Sequence, residues 1–253
     1  MPILEEWDLS GKSVVLASGS RGWGRTLASG LAEAGADIAV LGHRRDVLEE
    51  CITSASRPGM QVHEFLVDLK DADAVKEVIK DVIGVFGKID ALVTDTQVEF
   101  AKPIVDITSD EYDAVMQRNV KSVFLTCQEV GRHMLEKQYG RIVNMCSTLA
   151  ERSVANESVY CASMGAISQL TNAIGLEWAK SGITVNGIGT GWYSQDRIPL
   201  EEQQEDPLVR YLPSRRVGHP EDIVPLMVLL CSDASSYLNG QTIYVDGGAM
   251  THA

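Results

Sequence analysis

The sequence lacks the surplus of basic residues that a nucleic-acid-binding surface requires. Its 22 lysine and arginine residues are outnumbered by 35 aspartate and glutamate residues, which gives a formal net charge of −13. Proteins that bind a phosphate backbone need a basic stripe or patch. The composition therefore argues against a nucleic-acid partner and predicts an acidic, well-solvated surface.

Long hydrophobic runs are also absent. No stretch approaches the roughly 18 consecutive apolar residues of a membrane-spanning helix. The first ten residues, MPILEEWDLS, contain neither the basic region nor the apolar region of a secretory signal peptide. From these two absences we expect no membrane association and a cytoplasmic location.

The five cysteines show no paired spacing typical of a metal site or a disulfide framework. They are Cys51, Cys127, Cys146, Cys161 and Cys231, and no C-x-x-C motif occurs. This pattern favours reduced thiols and predicts no metal centre. Cys146 and Cys161 adjoin the candidate catalytic residues described below. Because small neutral side chains commonly fill such positions, a thiol nucleophile is the weaker interpretation.

The patterning that is present predicts an α/β protein. Short apolar stretches alternate with amphipathic helical stretches from Lys12 to Val245. This alternation is typical of a doubly wound domain, with a mostly parallel sheet of about seven strands and helices on both faces. A length of 253 residues with 45% apolar content suits a single domain over 1–253.

The chain is organised around residues 141–180. A buried strand is predicted at its start and ends at Ser147, and a helix is predicted from about Ser158 to Lys180. Tyr160 lies one turn into that helix. Ligands bind outside the carboxyl ends of the strands in open α/β sheets. A hydroxyl and a phenol brought together there could polarise a carbonyl group and exchange a proton with its oxygen.

This stretch resembles the short-chain dehydrogenase/reductase family, and the resemblance extends over nearly the whole chain. It implies a Rossmann-type domain in which a strand-end serine orients the substrate oxygen and the tyrosine of Tyr-x-x-x-Lys is the acid and base. The family's lysine lowers the tyrosine pKa and holds the nicotinamide ribose. Ser147 and Tyr160 match, Asn119 falls at the family's fourth catalytic position, and Met164 stands where the lysine is expected.

The resemblance also implies a dinucleotide site near the start of the chain. A glycine-rich turn between the first strand and helix lets backbone N–H groups approach a pyrophosphate. Ala17 and Ser18 replace the family's Thr-Gly at the start of that turn. The candidate binding residues in the turn are Gly19, Ser20, Arg21, Gly22 and Gly24.

The second strand and the third strand predict which dinucleotide binds. The second strand ends in Gly-His-Arg-Arg, without the acidic residue that favours NAD. Arg44 or Arg45, together with Arg21, could pair with a 2′-phosphate, so NADP is favoured over NAD. In the family, the position of Asp68 contacts the adenine. Asp68 could also be the N-cap of a helix starting near Asp71.

Further departures from the family pattern surround the same site. Residues 94–97 read Thr-Asp-Thr-Gln instead of Asn-Asn-Ala-Gly, which places a carboxylate and a long amide where the family leaves room. Thr190 precedes Gly191 in place of the family's Pro-Gly, and Gln195 replaces a threonine that contacts the nicotinamide. These departures are clustered, so we expect dinucleotide binding to be weak or absent.

Three functions remain open from the sequence. The first is a degenerate subunit that keeps the fold and assembles with an active relative. The second is an atypical but active NADP-dependent alcohol or carbonyl oxidoreductase that uses Ser147 and Tyr160 on a small-molecule substrate. The third is a non-redox enzyme similar to halohydrin dehalogenases. The final strand, near residues 240–248, and the long helix near Asn119 are expected to form subunit interfaces of a dimer or tetramer.

Overall fold

Seven parallel strands form one sheet in the computed structural model, which describes residues 3–18 and 22–251. The strand order is β3-β2-β1-β4-β5-β6-β7, and every neighbouring pair is parallel. The strands are β1 Ser13–Ser18, β2 Asp37–Gly42, β3 Val62–Leu66, β4 Ala91–Asp95, β5 Gly140–Ser147, β6 Ile183–Thr190 and β7 Thr242–Val245. The predicted doubly wound α/β fold is thereby confirmed.

Helices connect successive strands of this sheet. The α-helices are α1 Ile3–Glu6, α2 Gly24–Glu33, α3 Arg45–Ala55, α4 Ala72–Phe86, α5 Ser109–Met116, α6 Ser122–Lys137, α7 Ser158–Trp178, α8 Leu200–Gln203, α9 Pro207–Tyr211 and α10 Val224–Cys231. Single 3-10 turns lie at Ile104–Asp106, Thr148–Ala150, Ala179–Ser181, Pro220–Asp222, Asp233–Ser235 and Ala249–Thr251. Within the described ranges, no helix is both long and apolar enough to cross a membrane.

Both faces of the central strands are buried. Every residue of β1, β4, β5 and β6 is buried, as expected for parallel strands covered on two sides. One face packs against α4, α6 and α7, and the other packs against α2, α3 and α10. The apolar runs of the sequence therefore fill two hydrophobic cores, one on each side of the sheet.

One helix start differs from the sequence prediction. Asp71, and not Asp68, is the N-cap of α4, because its side chain accepts hydrogen bonds from the N–H groups of Asp73 and Ala74. The long helix expected near Asn119 consists of α5 and α6, joined by a π-helical turn, Gln117–Lys121. That helix begins with a capping box formed by Thr108 and Glu111.

The topology places a crevice at the carboxyl ends of β1 and β4. From β1 the chain moves outward to β2 and β3, and it then returns to add β4 on the opposite side of β1. Ser18 and Asp95 are paired in register as the last residues of β1 and β4. Such a switch point is where open α/β sheets bind their ligands. Residues 94–97 and the glycine-rich turn therefore border the same crevice.

Candidate active site

Ser147 and Tyr160 line one cleft of about 200 Å³, together with Gly191 and Trp192. Ser147 is the last residue of β5, and its hydroxyl accepts a hydrogen bond from the N–H of Leu149 at 3.2 Å, at the start of the next turn. Tyr160 lies in the first turn of α7 and is 2% exposed. The strand end and the helix start thus bring a hydroxyl and a phenol to a shared cavity.

Met164 is one helical turn beyond Tyr160 and is completely buried in the core under α7. The thiol of Cys146 donates a hydrogen bond to its backbone carbonyl at 3.4 Å, which ties α7 to β5. A thioether supplies neither a positive charge nor a hydrogen-bond donor. The stabilisation of a phenolate that the family obtains from lysine is therefore not provided by this position.

Asn119 lies in the π-helical turn and is fully buried. Its Oδ1 accepts from the N–H of Val98 at 2.7 Å, while its Nδ2 donates to the carbonyl of Val98 at 3.0 Å and to Ser163 Oγ at 2.9 Å. The side chain therefore ties the segment after β4 to α7. Asn119 is not among the residues that line the cleft of Ser147 and Tyr160, so its role as a fourth catalytic residue stays a prediction.

The described part of the glycine-rich turn is covered by side chains. Gly19, Ser20 and Arg21 lie outside the described residues. Gly22 has a φ of +72°, which favours glycine, and a Cβ there would lie 2.5 Å from Nε2 of Gln195. Ser18 Oγ occupies the space in which a Cβ on Gly24 would lie. A ligand phosphate could approach this turn only if the end of Gln195 moved aside.

Basic side chains surround the crevice near the end of β2. Asp68, Lys70, His43 and Arg118 line a narrow cleft of about 20 Å³. Burial, followed by the positive charge of Arg118, lowers the pKa of His43. Arg44 lies at the start of α3, where its guanidinium pairs with Asp46. Arg44 and Asp68 are thus near the predicted adenosine end, although Asp46 competes for Arg44.

A buried carboxylate lies at the switch point itself. Asp95 is fully buried at the end of β4, beside Ser18. Burial, and then the charge of Asp95, raise the pKa of the Cys51 thiol to about 12. Negative charge at this position opposes the binding of an anionic diphosphate.

Thr94, the first of the four departures at residues 94–97, is hydrogen-bonded within the sheet. Its Oγ1 donates to Oδ1 of Asn144 at 2.9 Å, and Nδ2 of Asn144 donates to Thr171 at 3.0 Å. These buried bonds tie β4, β5 and α7 together. The departure at residue 94 therefore leaves the sheet connected, and the chemically important changes are those at residues 95 and 97.

Two acidic residues in the cleft were missed by the sequence reasoning. Glu99 and Glu157 line the same cavity as Ser147 and Tyr160. Burial, and then the charge of Glu99, raise the pKa of Glu157. Glu157 could have been suspected because it lies three residues before Tyr160. No sequence pattern identifies Glu99, which is brought here by the path of the chain after β4.

The residues around the two clefts fit a dinucleotide in part. Thr96 lines the basic cleft near Arg118, Glu99 lines the cleft of Ser147 and Tyr160, and the chain segment between them carries the amide of Gln97. Both polar atoms of that amide are buried without a hydrogen-bond partner among the described residues. A buried amide without a hydrogen-bond partner, in the chain segment between two clefts, is consistent with a polar ligand that supplies the missing hydrogen bonds. Asp95 and Gln195 are the groups that oppose tight binding.

Comparisons with known proteins agree with this geometry. A family model described as "Enoyl-(Acyl carrier protein) reductase" matches residues 17–250. Gluconate 5-dehydrogenase of Gluconobacter oxydans (strain 621H) is 32% identical over 245 residues, covering 96% of this chain and 96% of that protein. A 2-dehydro-3-deoxy-D-gluconate 5-dehydrogenase of Pseudoalteromonas atlantica is 34% identical and covers 98% of this chain and 99% of that protein.

Solved structures show the same fold over the whole described chain. A short-chain type dehydrogenase/reductase from Mycobacterium marinum superposes with a TM-score of 0.89 at 29% identity, covering 98% of this chain and 99% of that one. A gluconate 5-dehydrogenase from Burkholderia cenocepacia J2315, in complex with NADP and tartrate, has a TM-score of 0.88 at 30% identity and covers 99% of both chains. The chain belongs to the short-chain dehydrogenase/reductase family of oxidoreductases.

Proposed function

We propose that this chain binds a dinucleotide and a hydroxy or oxo compound but converts them slowly by itself. In this proposal it is the degenerate subunit of a heteromeric oxidoreductase and assembles with a family member that has an intact Tyr-x-x-x-Lys motif. The observation that carries the proposal is Met164, which is buried at the lysine position and gives Tyr160 no cationic neighbour at that position. The other polar groups of the cleft remain in place.

The residues of the cleft define what this site can do. Ser147 can donate a hydrogen bond to a substrate oxygen, and Tyr160 can give a proton to that oxygen or take one from it. A nicotinamide dinucleotide, when bound, supplies or accepts the hydride. General acid–base catalysis contributes about 10²–10⁴-fold to such reactions, and it is most effective when the pKa of the acid lies near the working pH. Without a cation at residue 164, much of this factor is lost.

We infer that NADP is the preferred dinucleotide. The end of β2 carries no acidic residue, and Lys70 and Arg118 line the neighbouring cleft. Charge-assisted hydrogen bonds to a 2′-phosphate are stronger than those between neutral groups. The guanidinium of Arg44 can also bind the 2′-phosphate if it separates from Asp46. A relative of known structure is in complex with NADP, which is consistent with this choice.

The substrate differs in charge from the sugar acids for which the relatives are named. Glu99 and Glu157 line the cleft, and the residues described as lining it include no arginine, lysine or histidine. Two carboxylates within a partly buried cleft repel an anionic substrate and favour a neutral or cationic one. We therefore propose a neutral or amine-bearing alcohol or ketone as the substrate class.

An active enzyme is the second candidate, and a specific observation favours it. Ser147 and Tyr160 line one cleft, so the proton donor and the orienting hydroxyl are both available. A neutral phenol can still protonate a substrate oxygen during reduction. In this case the chain would be an atypical NADP-dependent carbonyl reductase acting on its own.

Co-expression with its genomic neighbours distinguishes these functions. We expect the purified complex to contain a second family chain with an intact Tyr-x-x-x-Lys motif, and to oxidise NADPH with ketones much faster than this chain alone. Titration of NADPH and NADH into this chain measures binding separately. A chain that purifies alone and is as fast as ordinary family members would contradict the degenerate-subunit proposal. Tighter binding of NADH would contradict the cofactor assignment.

A further inference from the structure

The side chain of Gln97 is a buried amide without a hydrogen-bond partner among the described residues. It is 1% exposed, and neither Oε1 nor Nε2 is bonded. Leaving a buried polar group unpaired destabilises the folded protein, because the group has lost its hydrogen bonds to water. Buried polar side chains in native proteins are nearly always hydrogen-bonded, and the exceptions commonly mark a site where a ligand or water completes the bond. The amide of Gln97 is therefore a candidate ligand group.

Gln97 lies in the chain segment that connects the two clefts. Its neighbour Thr96 lines the basic cleft with Arg118, and Glu99, two residues further along, lines the cleft of Tyr160. Consecutive Cα atoms are about 3.8 Å apart, so the backbone of Gln97 is close to both clefts, although its side chain lines neither. A dinucleotide extending from the basic cleft to Tyr160 would follow this segment of the chain.

The backbone beside Gln97 is held in place by Asn119. Both the N–H and the carbonyl of Val98 are bonded to the Asn119 side chain, at 2.7 and 3.0 Å. On the other side, Oγ1 of Thr96 is 2.8 Å from Oγ of Ser122. These bonds hold the chain on both sides of Gln97, and the amide is buried in the resulting conformation.

We propose that Gln97 is a dinucleotide-binding residue, whose amide hydrogen-bonds the polar groups of the nicotinamide half. This inference rests on the proposed dinucleotide binding and deepens it. Met164 offers no donor to a ribose hydroxyl, whereas Gln97 offers two donors and an acceptor in the same crevice. An amide carries no charge, so it can hold the ligand without activating Tyr160. The long side chain at residue 97 is then an anchor, and not an obstruction.

The test uses Gln97→Met, which keeps the length of the side chain and removes its polar atoms. The affinity for NADPH is measured by calorimetric titration, and the melting temperature is measured without ligand. We expect NADPH to bind about tenfold more weakly, because the hydrogen bonds between the amide and the ligand are lost. The ligand-free melting temperature should stay equal or rise, because an unpaired buried amide has been removed. Gln61→Met makes the same change at an exposed position just before β3 and should alter neither quantity.

Three results would overturn the inference. Tighter NADPH binding by Gln97→Met or Gln97→Gly would show that the side chain obstructs the crevice, and unchanged binding would show that the amide does not contact the ligand. A lower ligand-free melting temperature together with unchanged affinity would show a structural role. No NADPH binding by the unmodified chain would overturn the proposed dinucleotide binding as well. That last result is distinguished from the others because it appears before any substitution is made.

Discussion

The side chain at position 164 controls how well Tyr160 can act as an acid and a base. An isolated phenol has a pKa of about 10. A cation within about 4–6 Å would lower such a pKa by roughly 1–3 units. Met164 cannot supply that cation, and it is completely buried among apolar residues. The loss is therefore chemical, since the helix and the strand that position the site are intact.

Met164→Lys alone is expected not to restore an ordinary rate. Burial in an apolar environment disfavours the charged form of lysine, so the new side chain would be largely neutral where a cation is needed. The rate of NADPH oxidation with a panel of ketones and aldehydes measures this. Met164→Leu is the matched control and should behave like the unmodified chain. A gain of about 100-fold or more for Met164→Lys would show that residue 164 is the only defect.

Glu157→Gln is expected to stabilise the ligand-free protein at pH 7. The folded-state pKa of Glu157 is raised, first by burial and then by Glu99. A carboxyl group whose pKa is higher in the folded state favours folding while it is protonated. This stabilising contribution is lost as the pH rises through the folded-state pKa, so the ionised Glu157 disfavours folding at pH 7. The melting temperature should therefore increase at pH 7 and be unchanged below about pH 4, where Glu157 is protonated in both states.

Glu111→Gln provides a control of opposite sign for the same measurement. The pKa of Glu111 is lowered, first by its hydrogen bond from Lys102, so its charged form favours folding. Its loss should reduce the melting temperature at pH 7.

Glu157→Gln should also improve the binding of anionic hydroxy acids relative to neutral alcohols. A lower melting temperature at pH 7 for Glu157→Gln would contradict the assigned electrostatics.

The motif residues could be predicted from sequence, and their surroundings could not. Ser147 and Tyr160 were identified because strand and helix patterns fix their places along the chain. Glu99 lies after β4 and Glu157 lies before α7, so their meeting in one cleft depends on how the chain crosses the sheet edge. The covering of Gly22 by Gln195 also comes from a distant segment. Side chains that meet across a crevice have no local sequence pattern.

At the scale of elements, the strands were predicted more accurately than the helix ends. Buried apolar runs identify the central strands directly, because both faces of a parallel sheet are covered. The family resemblance implies a helix kink at Asn119, and a π-helical turn, Gln117–Lys121, lies there, although the residue pattern itself does not indicate it. Apolar residues at Val115, Val123 and Val130 continue across it, so the sequence pattern resembles that of one uninterrupted helix. The turn is stabilised by contacts of Asn119 with other segments, which the local sequence does not show.

Asn119→Ala is expected to lower the free energy of unfolding by about 1–3 kcal/mol, because buried groups of Val98 and Ser163 lose their partners. It should also weaken NADPH binding, since the segment carrying Gln97 is no longer held. Urea denaturation and calorimetric titration measure the two effects. Lys121→Ala, at an exposed position in the same turn, should change stability by less than about 0.5 kcal/mol. If Asn119→Ala were as stable as the unmodified chain, the hydrogen bonds of Asn119 would not stabilise the fold as described.

At the scale of the whole molecule, apolar side chains are exposed on one side of the helical layer. Phe124 on α6 is 44% exposed and Leu176 on α7 is 83% exposed. Phe124 also lines an apolar groove between these helices, with Val120 and Leu170. An apolar groove of this kind is typical of protein–protein contact sites. The oligomer that the family resemblance implies is therefore expected to use this face.

Sedimentation at micromolar concentration should show a dimer or a tetramer. Phe124→Glu places a charge in the groove and should shift the chain toward a monomer. Val85→Glu, at a similarly exposed position on α4, is the control and should leave the assembly unchanged. A monomeric unmodified chain would contradict the predicted self-association, and an interface insensitive to Phe124→Glu would place the contact elsewhere.

The most direct test of the central claim is the rate of NADPH oxidation by the purified, unmodified chain across ketones and aldehydes, compared with that of Tyr160→Phe. We predict weak or undetectable turnover by the chain alone and little further loss on replacing Tyr160. We also predict ordinary rates when a family chain with an intact Tyr-x-x-x-Lys motif is co-expressed. Rapid turnover by the unmodified chain alone, abolished by Tyr160→Phe, would contradict this account, because the site would then work without a cation at residue 164.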